Sequence, residues 1–322
     1  MNSLLSLITP TNLNSEKERF FASSTYHPVF QYIWQDKNIE AKFSNKLKST
    51  LWEAVKTQNS QAITKSAQDL FEVNINEVTL SQSKHDAALK GKKSGGSAPE
   101  FAKLMQQALI DFAIDYKIEI SAESGFNARP QHELRKLIIS RDAHFDYFSM
   151  EGGVHHDMTH IIRYLNGQYN KIRRSQNYLP TEEGLASWCQ DNANDDNGLA
   201  QHAMEYVASS VGLGGSLRDI YNCLCDLGMS SELAWKRACR HKFGFVNTNE
   251  PGDILKPAMY YFNEIKIANL TSAEKLRLFI GKISLDELKN FPKYSGIWPA
   301  EQLKNYFHLW YLTTIIRIIV VT

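Results

Sequence analysis

Gly152-Gly153-Val154-His155-His156-Asp157-Met158-Thr159-His160-Ile161-Ile162-Arg163-Tyr164-Leu165-Asn166-Gly167 is the stretch on which the reading of this chain turns. Glycines at both ends predict a short helix between them. Within it His156 and His160 occupy positions i and i+4. On a helix of 3.6 residues per turn they are offset by only about 40°, so both imidazoles can face one metal ion. Asp157 follows the first histidine directly. His-Asp-x-x-His is the zinc-peptidase pattern His-Glu-x-x-His with its carboxylate shortened by one methylene.

A catalytic zinc usually takes three protein ligands and keeps a fourth position for water, so a further ligand must come from elsewhere. Downstream, Leu179-Pro180-Thr181-Glu182-Glu183-Gly184-Leu185-Ala186-Ser187-Trp188 reads as a second helix, with proline and threonine at its start and an acidic pair in its first turn. Either Glu182 or Glu183 can complete the set. A plainer reading stands beside this one. A His-x-x-x-His pair arises readily by chance among 322 residues with 10 histidines, and acidic residues at a helix start complement its dipole.

Working upstream, residues 101–116 have helical periodicity, 117–121 alternate polar and apolar as a half-buried strand does, and 135–140 form a second β-rich run. A turn-like segment, 123–130, separates the two runs. Residues 39–71 are helical in pattern, with Phe43, Leu47, Leu51, Ala54, Val55, Ile63 and Leu70 near helical spacing. Residues 90–99, rich in glycine, serine and lysine, read as a flexible surface loop, and their Gly-Lys-Lys-Ser lacks the upstream glycine of a phosphate-binding loop. The expected division is a helical N-terminal cover over 1–100 and a catalytic domain over 101–322. The expected class is α+β: a mostly helical, zincin-like body with a small mixed or antiparallel sheet beside the metal-binding helix.

Composition bounds these readings. With 322 residues, 43% hydrophobic and 22% charged, the chain can bury a sizeable core, which excludes disorder and a disulfide-stapled miniature. Lysine plus arginine total 36 against 35 acidic residues, so no overall field draws it to nucleic acid or anionic lipid. Cys189, Cys223, Cys225 and Cys239 contain no Cys-x-x-Cys, and they read as reduced thiols of a cytoplasmic protein. Residues 1–13 lack the basic start and cleavage site of a secretory signal. The apolar run 309–321 is interrupted by Arg317 and falls short of a membrane span, which takes about 20 residues, so it reads as a core helix or strand.

The segment from His156 to Gly167, followed by Thr181-Glu182-Glu183-Gly184-Leu185-Ala186, resembles the tyrosine carboxypeptidase family of zinc metallopeptidases. That family comprises the microtubule-detyrosinating enzymes and bacterial relatives named for a Gln-Glu-Gly-Leu-Ala motif. Its pattern is His-Glu-x-x-x-His, then a Tyr-Leu-Asn-Gly-like stretch, then Glu-Gly-Leu-Ala. The likeness extends to residues 26–32, 127–130, 240–252 with Lys256 and Tyr260, and 278–284, in order along nearly the whole chain.

The resemblance implies a Zn2+ ion held by His156, His160 and Glu183, with Asp157 at the place of the family's catalytic glutamate. It implies removal of a C-terminal residue, tyrosine or phenylalanine, from a peptide or protein tail. Arg240, Lys242 and Lys256 become candidates to pair with the terminal carboxylate, and Tyr260 to line an aromatic pocket. Phe243 stands where the family has a second arginine, which bears on specificity.

The family's histidines are separated by one residue more than His156 and His160. A gap-free registration makes His155 the first ligand. A one-residue deletion makes it His156, keeps a carboxylate beside it, and preserves the i, i+4 phase, whereas an i, i+5 pair diverges by about 140° on a straight helix. We therefore take His156. Aspartate reaches about 1.5 Å less far than glutamate, and a misplacement of that order costs around 10²-fold in rate. The alternative is a catalytically impaired member that acts as a peptide-tail binding module.

Overall fold

The structure, a computed structural model, describes every residue except 1–3, 38, 40, 42, 89–94, 123–125, 144, 146–148, 194–198 and 310–322. Half of the expected loop at 90–99, part of the turn at 123–130 and nearly all of the C-terminal apolar run lie outside the described residues.

In chain order the first helices are α1 (Leu4–Ile8), α2 (Leu13–Ala22), α3 (Ile33–Lys37), α4 (Lys46–Thr57), α5 (Ser60–Phe71), α6 (Glu77–Ala87) and α7 (Ala98–Asp111). Next come strands β1 (Lys117–Ser121), β2 (Ala128–Gln131) and β3 (Lys136–Ser140), then α8 (Met150–Tyr169), α9 (Leu179–Asp191) and α10 (Leu199–Gly212). The remaining helices are α11 (Leu217–Asp226), α12 (Ser231–His241), α13 (Lys256–Ala268), α14 (Ser272–Leu278) and α15 (Ala300–Tyr306). The chain is thus α+β and mostly helical, as expected. No described helix is long and apolar enough to cross a membrane.

Compactness divides the chain differently from the expected boundary at residue 100. One unit takes Met1–Ala88 and His202–Phe262, the other Leu89–Gln201 and Asn263–Thr322. In the first, Asn45, Asn59 and Asn76 cap α4, α5 and α6, each side chain accepting a hydrogen bond from a first-turn backbone N–H. The chain returns to this unit because its N-terminal helices need the later ones to cover them. Phe20 of α2 packs on Trp235 of α12 and Tyr221 of α11, with ring centroids 4.7 and 5.0 Å apart. Tyr32 donates to the carbonyl of Phe245 at 2.9 Å, and Thr248 Oγ1 to that of Pro28 at 2.7 Å. Two of the segments that carry the family likeness, 26–32 and 240–252, are therefore one structural piece.

The second unit is built on a three-stranded sheet of order β1-β3-β2, with β3 parallel to β1 and antiparallel to β2. The sheet is mixed. Leu137 and Ile139 of β3 join Phe101, Met105 and Leu109 of α7, Met158, Ile161 and Ile162 of α8, and Leu185 and Trp188 of α9 in one core. β2 escapes the sequence pattern because it is four residues long and contains Pro130, which an edge strand tolerates.

Helix α8 is not the short segment that its flanking glycines predict; it runs for 20 residues. Ser149 caps it, accepting from the Gly152 N–H at 2.9 Å. Gly152 and Gly153 lie inside the first turn because neighbours crowd it. A Cβ on Gly152 would stand 2.9 Å from the Gln190 carbonyl oxygen, and one on Gly153 3.0 Å from the Phe101 ring. Asn166, expected as a helix end, is buried within α8. Its carboxamide donates to the Phe279 carbonyl at 2.8 Å and accepts from the Ile297 N–H at 2.8 Å.

Candidate metal centre

Helix α8 presents His156 and His160 on one face, and α9, packed along it, presents Glu183. Gly184 permits the seating of α9, since a Cβ there would stand 2.8 Å from the Asn263 backbone. The two imidazole centroids are 4.9 Å apart. Oε2 of Glu183 lies 3.6 Å from Nε2 of His156 and 3.6 Å from Nε2 of His160, and the three ligand atoms fall within 4.8 Å of one another.

Those separations exceed a good hydrogen bond. They match the edge of a tetrahedral zinc site, where bonds of about 2.1 Å place adjacent donors about 3.4 Å apart. The donor set, two imidazoles and one carboxylate, is of the kind that leaves a fourth position open. The side chains retain 19%, 10% and 15% of their surface for His156, His160 and Glu183, so the cluster faces an accessible space.

Burial disfavours a charged His156, but the Glu183 carboxylate outweighs it and holds the imidazole above its ordinary pKa. Asp157 is buried, and burial pushes its carboxyl up to about 6 against the downward pull of the two histidines. His155 lies elsewhere. Its ring packs on Tyr306 and Phe307 at 4.6 and 5.6 Å, and burial pushes it down to about 4. The histidine that meets Glu183 together with His160 is His156.

Adjacent glutamates occupy different positions. Glu182, fully buried, accepts from Nδ1 of His160 at 2.8 Å, from Nη1 of Arg163 at 2.6 Å, and from Nζ of Lys282. Burial alone would raise its pKa, yet Lys282, Arg163 and the His160 hydrogen bond hold it well below the usual carboxylate range. Arg163 spends its other donors on the carbonyls of Leu278, Gly281 and Ile283, at 2.9, 3.1 and 2.9 Å. Lys282 also meets Nε2 of His132 at 3.1 Å, whose ring stacks on Tyr164 at 4.4 Å. Sequence reasoning assigns no role to Arg163, Lys282 or His132. The available signal is that Arg163, three residues after His160, shares its face on an otherwise apolar stretch of α8.

The expected substrate residues belong to the first unit. Arg240 lies 3.8 Å from buried Glu205, which Arg237 also reaches at 3.1 Å. Lys256 donates to the Tyr260 hydroxyl at 2.9 Å, and the Tyr260 ring stacks on His202 at 5.5 Å. Lys242 requires a correction. Its buried ammonium donates to the carbonyls of Gly215, Glu250 and Gly252 at 2.9, 2.8 and 2.5 Å, which accounts for all three of its protons. It ties a loop together and presents nothing to a ligand.

No family model matches the chain. Among curated proteins, microtubule-associated tyrosine carboxypeptidase 1 of Mus musculus is 23% identical over 315 residues, 90% of this chain and 62% of the mouse protein. The protein of the same name from Rattus norvegicus is 22% identical over 300 residues, 89% of this chain and 61% of its own length. The chain thus spans about six-tenths of the length of these relatives. These likenesses, low in identity, extend over some nine-tenths of the chain.

Proposed function

We propose that this chain is a zinc-dependent carboxypeptidase that removes a C-terminal residue, aromatic by preference, from a peptide or protein tail in the cytoplasm. The observation that carries the reading is the single Glu183 oxygen equidistant, at 3.6 Å, from the Nε2 atoms of His156 and His160. The reaction class comes from the relatives, whose names make them tyrosine carboxypeptidases.

His156, His160 and Glu183 would hold the ion. Zinc bound there supplies Lewis acidity toward the scissile carbonyl and lowers the pKa of a water to about 7. Asp157 takes the proton of the attacking water and returns it to the leaving amine. On the family pattern, Arg240 and Lys256 are assigned to the terminal carboxylate of the tail and Tyr260 to its aromatic side chain.

The shorter reach of Asp157 favours one second reading, a module that binds metal and peptide tails without cleaving them. Incubating the zinc-loaded chain with a peptide ending in tyrosine separates the two. Free tyrosine, abolished by Glu183→Ala and by Asp157→Ala, supports the hydrolase; tail binding with no shortening supports the module. A chain that takes up no zinc overturns both.

A further inference from the structure

An imidazole offers Nε2 to a metal only when its proton sits on Nδ1, and the group that faces Nδ1 decides this. For His160 that group is Glu182, at 2.8 Å. An ionised carboxylate only accepts hydrogen bonds, so of the two neutral tautomers it admits the one with Nδ1 protonated and Nε2 left open toward Glu183.

Glu182 is itself held from two further directions. Arg163 Nη1 takes one oxygen at 2.6 Å, and Lys282 Nζ shares the other with His160. Both cations are anchored to one piece of chain. Arg163 donates to the carbonyls of Leu278, Gly281 and Ile283, and Lys282 lies within the same segment. Lys282 also meets Nε2 of His132, whose Nδ1 faces the Tyr116 hydroxyl at 3.1 Å. Both oxygens of Glu182 are thereby engaged, and the carboxylate cannot rotate away from His160 without breaking a charge-assisted hydrogen bond.

We infer that Glu182 is a positioning residue for His160, clamped by Arg163 and Lys282, so that the segment 278–283 sets the metal affinity of a centre it does not touch. The inference rests on the metal-centre reading above.

The test compares Glu182→Gln, Lys282→Met and the paired variant in the full chain. Zinc affinity is read by competition with a chromogenic chelator, and the His160 tautomer by long-range proton–nitrogen spectra of the metal-free protein. In Glu182→Gln one amide oxygen must serve three donors; the expected result is a loss of zinc affinity of about 10–100-fold and a mixed His160 tautomer. The paired variant removes one charge of each sign, which guards against unfolding, and it is expected to keep both defects. Lys282→Met alone is expected to show a smaller loss. Affinity within twofold of wild type in the paired variant, with His160 still protonated on Nδ1, overturns the inference, as does a neutral wild-type His160 that carries its proton on Nε2 alone. Stoichiometric zinc lost only in Glu183→Ala leaves the metal centre standing while this inference falls. If the wild type binds no zinc, the metal-centre reading falls and the tautomer alone decides the role of Glu182.

Discussion

Arg163 Nη1 stands 2.6 Å from Oε2 of Glu182, and neither side chain reaches solvent. A buried pair of this kind is costly to break from one side, because the remaining charge has no water to turn to. Arg163→Leu is expected to lower stability by about 3–5 kcal/mol. Arg163→Lys is expected to recover only part of this, since an ammonium cannot serve three carbonyls and a carboxylate together. Urea unfolding of the metal-free variants measures both; an effect below 1 kcal/mol on the scale of exposed ion pairs would contradict the picture.

Zinc affinity should depend on pH with a definite sign. Both imidazoles must be neutral to bind, and Glu183 holds His156 protonated to a higher pH than usual. Protons therefore compete with the ion as pH falls, and affinity is expected to drop steadily from pH 7 to pH 5. Chelator competition at several pH values checks it. A flat profile would show that His156 is not a ligand.

Asp157→Asn is expected to retain stoichiometric zinc while tyrosine release falls by about 10²–10⁴-fold, the span of a lost general base. Kinetics and metal analysis of one preparation test the separation. Loss of the metal itself would move Asp157 from proton transfer to metal retention.

The same carboxyl predicts a stability effect in the metal-free protein. Its folded pKa, about 6, lies above the usual carboxylate value, so the folded state binds more protons between the two. Asp157 therefore costs stability progressively as pH rises from about 4 to 6, by the linkage relation. Relative to wild type, Asp157→Asn should gain stability over that window and hold the gain at pH 7. Denaturant midpoints at pH 4 and 7 measure it, and a gain that shrinks as pH rises would reverse the sign.

Lys242→Met is expected to destabilise the chain by about 2–3 kcal/mol, because carbonyls of Gly215, Glu250 and Gly252 lose their donor. Zinc content should be unchanged. A variant of wild-type stability that fails only in tail binding would restore the carboxylate-binding role read from the sequence.

What is legible in the sequence depends on how local its cause is. The phase of His156 and His160 follows from helical geometry over one turn, β1 from alternation over five residues, and β3 from a short β-rich run. The different placement of Glu182 and Glu183 is not local. It is decided by Arg163 and by Lys282, 100 residues away. The glycines of α8 mislead for a related reason. Gly152 sits where Gln190 comes close, so a residue that reads as a break is a packing position. Lys242 reads from the sequence as a partner for a terminal carboxylate, and only the return of the 250–252 loop turns it inward. The two-part composition of each unit is equally hidden, since nothing near residue 88 announces that residues after 201 complete the same core.

The outer strand β2 carries Pro130, paired in register with Leu137 of β3. A proline has no N–H to offer, so a strand from another molecule approaching that border finds a missing rung where it would need a donor. Along this margin the sheet resists lengthening by strand-to-strand association, a safeguard against aggregation for a protein whose central strand is otherwise an unbroken apolar run from Leu137 to Ile139.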